Sequence, residues 1–348
     1  MENYILTDRE KAILRNVIHQ FILTANPVGS RNIARKYDLG LSPATIRNIM
    51  ADLEDTGFLG HPHTSAGRIP TDKGYRLYVD SLMEITDLAV DQKNQIIRRL
   101  NQDSSDTEDL LRISSVILSD ITNQLACVTF PKFESAILEK IQIVQLSSKR
   151  ILVVLSIRSG LVKTITMELE TEIETKDIEN VQVILNERLT DLTFNEIKRT
   201  FGERIKNAAN MENHSIIRLF LDSADKIFSD TSFNDKAFIS GTKNILRQPE
   251  FDDIENFQSI IELIENKDII IHIMDSKKPD GNAVSVSIGS ENPSEILHNY
   301  SFVIKDYKVG ETVGILGIIG PKRMEYSKSI AAILYIADIL TSELKKKQ

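Results

Sequence analysis

Arg47 and Asn48 stand side by side in the run Ala44-Thr45-Ile46-Arg47-Asn48, which continues through Ile49, Met50 and Leu53. Ile46, Ile49, Met50 and Leu53 fall at i, i+3, i+4 and i+7, the spacing of a helix stripe turned toward a core. Ala44, Thr45, Arg47, Asn48 and Ala51 then form the opposite, narrow face. An arginine fork matches the acceptor pair on the major-groove edge of guanine, and an asparagine amide matches adenine. Thr45 can bond a base edge or a phosphate, or touch a thymine methyl, and its small neighbours permit close approach to a groove. Ser42 followed by Pro43 is a helix-start pattern. The free N–H groups at such a start, with the Ser42 hydroxyl, suit a phosphate.

The surrounding elements must position this face. Thr7-Asp8-Arg9-Glu10 is a capping box, and Ile13, Leu14, Val17, Ile18, Phe21 and Ile22 follow at helical spacing. Pro27-Val28-Gly29 breaks that helix. Ser30 is expected to cap a short second helix through Tyr37, with Arg31, Arg35 and Lys36 available to clamp a phosphate backbone. Leu39-Gly40-Leu41 forms a tight corner, and the third helix runs from Pro43 to about Asp55. Phe58-Leu59-Gly60 and Arg68-Ile69-Pro70 are expected as two short strands. The loop between them, with His63, Thr64 and Ser65, has donors and no bulky apolar tip, and Arg68 could enter a minor groove or bind a phosphate. Thr71 caps a fourth helix, which adds Lys73 as a phosphate contact and is expected to continue to Leu100. Three helices and a hairpin in this order form a winged helix-turn-helix. The same arrangement also serves as a protein-contact module, and an Arg-Asn pair on a helix is also ordinary solvated surface. Patterning alone leaves these readings open.

The remaining composition narrows the classes. The 348 residues are 41% hydrophobic and 26% charged, an ordinary globular balance with room for more than one domain. Net charge is −8, yet residues 1–80 carry ten basic and nine acidic side chains, so the acid excess lies beyond them. No apolar run is long enough to span a bilayer, and the first residues lack a signal-peptide core, so a cytoplasmic location without membrane contact is expected. The single cysteine, Cys127, sits among small apolar residues and reads as core. His61-x-His63 has no nearby Cys or carboxylate to complete a metal site. Gly314, Gly317 and Gly320 lack the Lys-Ser/Thr of a phosphate loop. No catalytic constellation, metal or cofactor is expected.

The polar, acidic stretch Asp103–Asp109 reads as a boundary. A helix at Leu110–Leu125 and β-rich runs at Ile137–Leu146, Arg150–Ile157 and Leu161–Leu169 follow, the latter as a meander. Asp177–Phe228 is helical, with a second capping box at Thr193 and Glu196. Strands are expected at Asp268–Met274, Ala283–Ile288, Ser301–Tyr307 and Thr312–Ile319, and a closing helix at Glu325–Leu344. The fold class is α+β, interrupted by a helix-rich insertion.

The segments SPATIRNIMADLEDTGFL (Ser42–Leu59) and PHTSAGRIPTDKGYRLYVD (Pro62–Asp80) resemble the HrcA family of heat-inducible transcription repressors. GTKNILRQPEF (Gly241–Phe251), IGSEN (Ile288–Asn292) and GILGIIGPKRMEYS (Gly314–Ser327) agree in the same order, so the resemblance spans most of the chain. Lys322 departs from it, standing where the family often has a small polar residue. The resemblance implies a winged helix-turn-helix at 1–80 and a linker helix at 81–105. It further implies a GAF-like domain at 106–170 and 265–348, and a dimerising insertion at about 171–264. It implies repression of chaperone operons through an inverted-repeat operator, CIRCE, bound as a homodimer, with the GroEL chaperonin supporting the active form. A small-molecule-responsive regulator using the GAF-like domain is the alternative.

Overall fold

The computed structural model describes residues 6–62, 67–103, 106–169, 172, 174–206, 214–228, 237–277 and 283–346. It opens with α1 (Asp8–Thr24), α2 (Ser30–Lys36) and α3 (Pro43–Asp55), then β1 (Leu59–Gly60) and β2 (Ile69–Pro70). The Thr7 hydroxyl accepts from the Glu10 N–H while the Glu10 carboxylate accepts from the Thr7 N–H, so the capping box forms. Gly29, not Ser30, caps α2. Ser30 is the first helical residue and its side chain makes no cap bond, because the chain enters α2 one residue earlier than the serine suggests. Gly40 holds the α2–α3 corner at φ +62°, a left-handed conformation that an L side chain rarely adopts. β1 and β2 pair antiparallel, Leu59 opposite Pro70. Val28 and Arg68 exchange backbone hydrogen bonds of 2.8 and 2.9 Å, so the hairpin is laced to the α1–α2 connection.

Next come α4 (Asp72–Leu77), a π turn at Tyr78–Leu82, and α5 (Val90–Asp103). The expected continuous helix from Thr71 to Leu100 is therefore broken: residues 83–89 are neither helix nor strand. The reason is visible at Ser327, whose hydroxyl donates to the Glu84 carbonyl (2.7 Å) and accepts from the Thr86 N–H (3.0 Å), drawing both groups out of a helical ladder. Gly74 packs α4 on the hairpin. A Cβ built there would lie 2.2 Å from the Phe58 carbonyl oxygen. Helix propensity alone would favour alanine at this position by about 1 kcal/mol. The overlap opposes it by about 1–3 kcal/mol. Gly74→Ala should therefore lower the melting temperature, and a raised one would show that the close approach is not maintained.

The rest of the chain builds two sheets. α6 (Thr107–Thr122) leads into β3 (Leu125–Thr129), then β4 (Leu138–Ser147), β5 (Arg150–Ile157) and β6 (Val162–Glu168), followed by α7 (Thr175–Leu189), α8 (Phe194–Lys206) and α9 (His214–Phe228). Then come β7 (Ala237–Ser240), α10 (Thr242–Ile245), α11 (Ile254–Glu265), α12 (Lys267–Ser276), β8 (Ser285–Ile288), β9 (Tyr300–Val309), β10 (Thr312–Pro321) and α13 (Tyr326–Lys346). β7-β3-β10-β9-β8 form an antiparallel sheet. One face lies under α6 and α13. The other carries Cys127, Phe302 and Ile304 against Ile270 and Met274 of α12, all buried. Burial holds the Cys127 thiol up at about 12, so it is an inert core group.

The run Asp268–Met274, expected as a strand, is helical. β10 already has β3 on one side and β9 on the other, so no sheet edge is free beside it. The run instead crosses the sheet as α12, with Met274 Cε 2.8 Å from the position a Gly317 Cβ would take. A short apolar run fits either period. The meander is present, in order β4-β5-β6, but as a separate sheet. α7 packs along β4, and its Asn186 and Gln182 hydrogen-bond the backbone of Ile141 and Ile143 along the outer edge of β4. Those side chains occupy a sheet edge that would otherwise be left open. Phe133 stacks on Phe194, which meets Phe228 edge-on, so an aromatic cluster joins this unit to the segment between β3 and β4.

Candidate nucleic-acid interface

α3 positions the face from which function was argued. The Ser42 hydroxyl accepts from the Thr45 N–H at 3.1 Å and lies 2.9 Å from the Thr45 hydroxyl, fixing the first turn. Ile46, Met50 and Leu53 are buried and Ile49 is half-buried. Each fully buried side chain contributes about 1.5–3 kcal/mol, enough to hold the helix in one rotation. Ser42, Ala44, Thr45, Arg47 and Asn48 are all exposed, on a surface that nothing else in the described chain covers. The C-terminal half of the same helix exposes Asp52 and Asp55. Charge therefore divides α3 lengthwise: its first two turns are cationic or neutral and its last turn repels phosphate. A polyanion can approach only the first part.

Arg31 and Arg35 of α2 are exposed, and neither they nor Arg47 forms an ion pair with a described residue. Lys36 donates to Gln20 of α1 at 2.6 Å. Thus α2 and the start of α3 bring together Arg31, Arg35, Ser42, Ala44, Thr45, Arg47 and Asn48. His63, Thr64 and Ser65, expected at the hairpin tip, lie outside the described residues. Arg68 and Lys73 are placed differently. Arg68 is bound to Glu54 of α3 at 2.6 Å, and the same carboxylate meets His61. Lys73 donates to the Thr56 carbonyl at 2.8 Å and sits 4.3 Å over the Phe58 ring, where the carbonyls ending α3 attract a cation. In this state both cations brace the hairpin against the far end of α3. Glu54, the residue that does this, was not singled out in the sequence, where it reads as one more exposed helix acid.

A second set of polar residues was also missed. They form the seam between this N-terminal unit and the five-stranded sheet. Asp72 pairs with Lys322 at 2.8 Å and accepts from the Ser290 N–H at 2.8 Å. Arg76 donates to both oxygens of Glu291 and, at 2.7 Å, to the Val286 carbonyl of edge strand β8. Arg323 donates to the Ile22 carbonyl of α1 at 2.6 Å while paired with Glu250. Tyr75 and Tyr326 lie between these contacts, ring centroids 6.0 Å apart and both buried.

Burial alone would raise the carboxyl groups of Asp72 and Glu291. The bonds from Lys322 and Ser290, and from Arg76 and the Ile288 N–H, outweigh it and hold both below the usual carboxylate range. Groups depressed in the folded state stabilise it at neutral pH and lose that contribution as pH falls through their folded values. The groups facing them are Lys322 beside Asp72, and Arg76 and Lys277 beside Glu291. The melting temperatures of Asp72→Asn and the parent chain should therefore differ near neutrality and draw together as pH is taken below the ordinary aspartate value of about 3.9, toward about pH 2. A difference that persists unchanged to that pH would show that the carboxylate charge contributes nothing.

The chain matches known proteins along its length. A family model described as the HrcA protein C-terminal domain matches residues 108–330. A heat-inducible transcription repressor HrcA from Chlorobium phaeobacteroides (strain BS1) is 41% identical, the alignment covering 97% of this chain and 98% of that one. Its counterpart from Chlorobaculum parvum is 42% identical, with 97% and 98% covered. A crystal structure of a hypothetical protein superposes with a TM-score of 0.61 at 20% identity, over 99% of this chain and 100% of that one. At that identity the likeness concerns the fold alone.

Proposed function

The chain belongs to the HrcA family of heat-inducible transcription repressors, and from that premise we propose that it represses chaperone operons by binding the inverted-repeat operator CIRCE as a homodimer. The N-terminal unit acts as a winged helix-turn-helix. Ala44, Thr45, Arg47 and Asn48 read base edges in the major groove, while Ser42, Arg31 and Arg35 hold the phosphates. The observation that carries this reading is the exposed first half of α3, left open by the described residues and cationic only there. Arg68 and Lys73 join the contact only if DNA displaces Glu54 and the Thr56 carbonyl, respectively.

The five-stranded unit is the GAF-like domain of this reading. In place of the about 171–264 implied by the resemblance, we place the insertion at the Leu138–Glu168 sheet with α7–α9, since those strands form a sheet of their own, and assign it as the dimerising part. Two copies joined there present two α3 helices to successive major grooves, which suits an inverted repeat. The GroEL chaperonin is the partner we assign to maintaining the folded, active form, and the cytoplasm is the location. No described helix is long and apolar enough to cross a membrane. Heat releases the operator as the dimer loosens, since one half-site alone binds weakly. The small-molecule alternative would place an effector against the sheet. Its second face is filled by Phe302, Ile304, Cys127 and Met274.

The test is a footprint of the purified chain on its own chaperone promoters. Protection of both arms of an inverted repeat is expected, weakening on heating. Uniform, sequence-independent protection would overturn the assignment.

A further inference from the structure

The covalent link between the N-terminal unit and the rest of the chain does not by itself fix their orientation. Residues 83–89 have no regular structure; Ser327 holds Glu84 and Thr86, Asp87 pairs with Lys93 of the following helix, and Leu88 is buried. Orientation comes instead from the seam. Two of its attachment points, Asp72 and Arg76, lie one turn apart on α4. The third is the Ile22 carbonyl at the end of α1, held by Arg323. Three non-collinear points fix one body on another. All three use charged hydrogen bonds, which are shorter and more directional than neutral ones. Two also use groups that no strand could satisfy there: the outward Val286 carbonyl of edge strand β8 and the Ser290 N–H just beyond it. Gly289 adds a steric condition, since a Cβ there would lie 2.3 Å from the Asp72 carboxylate. The seam leaves the first half of α3 free.

We propose that Asp72, Arg76, Lys322, Glu291 and Arg323 are positioning residues: they set the angle of the reading helix relative to the body, and hence the half-site separation the dimer accepts. They touch no DNA themselves. This rests on the DNA-binding reading above. With the seam intact, the two α3 helices are held at one separation and one relative rotation. With it broken, each reading unit pivots on residues 83–89, and the dimer becomes tolerant of spacing.

The variant is the double substitution Asp72→Asn, Arg76→Gln in the full chain, with Arg323→Gln as an independent second. Each is assayed by gel-shift on operators whose half-sites are at native separation or moved apart by about half a helical turn, roughly five base pairs. The parent chain should lose most of its affinity when the spacing changes. The variants should lose much less, while binding a single half-site as the parent does. Spacing discrimination equal to the parent's would overturn the proposal.

A measurement without DNA separates this from failure of the functional reading. Spin labels at Asp38→Cys and Gln258→Cys, both exposed, report the angle between the units, and buried Cys127 stays unlabelled. In labelled chain diluted with unlabelled chain, so that one protomer per dimer carries spins, the single narrow distance distribution of the parent should broaden in the variants. An unchanged narrow distribution would overturn the seam's role, even for a chain that binds no operator. A global loss of structure in one variant would show as lost half-site binding and a collapsed thermal transition, and the other variant then decides the proposal.

Discussion

Arg47→Ala should cut affinity for an inverted-repeat operator by orders of magnitude while reducing binding to random DNA far less. A bidentate arginine–guanine contact discriminates by about 1–3 kcal/mol. A two-fold dimer makes it twice, so the summed loss is about 2–6 kcal/mol, on the order of thirty- to ten-thousand-fold. On random DNA only the electrostatic part is lost, and the salt dependence should flatten slightly. Paired titrations on operator and scrambled duplexes read the difference directly. Equal losses on both would move Arg47 to the phosphate-holding class with Arg31 and Arg35. The fold should be unaffected, since Arg47 is exposed and forms no ion pair with a described residue.

The second large effect is expected far from DNA. Phe194 is fully buried, stacked on Phe133 with ring centroids 6.1 Å apart and edge-on to Phe228 at 5.6 Å. Truncating such a side chain costs about 3–5 kcal/mol through lost burial and the cavity left behind. It would be felt in the three-stranded sheet and α7–α9, because Phe201 and Phe228 complete the same cluster. Phe194→Ala should therefore melt this unit below the rest of the chain, giving two thermal transitions where the parent gives fewer. If the unit joins two copies, as proposed, operator affinity should fall with it while half-site binding persists. Sedimentation and gel-shifts on whole and half operators at the same temperature check this. A variant whose insertion has melted but which stays dimeric and keeps full operator affinity would remove the insertion from the dimer interface.

Local features of the fold were legible in the sequence where one element carries its own signal. The Thr7–Glu10 and Thr193–Glu196 boxes, Ser42 with Pro43, and the Ile46–Met50–Leu53 stripe appear as read. The meander of β4, β5 and β6 was readable from alternation and turns. Which sheet those strands join was not, because alternation marks a buried face without naming what covers it. α12 was misread because a run such as Asp268–Met274 satisfies both periods, and sheet order, a long-range property, settled the outcome. The break at 83–89 depends on Ser327, more than 240 residues away.

The candidate site divides in the same way. The face of α3 follows from one helix's periodicity. The bracing of Arg68 and Lys73 follows from where a hairpin returns, and the seam pairs Asp72–Lys322 and Arg76–Glu291 join residues more than 200 positions apart.

The central claim is that the first half of α3 enters the major groove, once per protomer. A cleaving iron chelate attached at Asp52→Cys, one turn beyond Asn48 and exposed, tests it most directly. Two symmetric cut clusters inside the inverted repeat, about one helical turn apart or a multiple of it, are the outcome this account requires. Cuts confined to flanking DNA, or absent while the protein stays bound, would mean that another surface holds the operator.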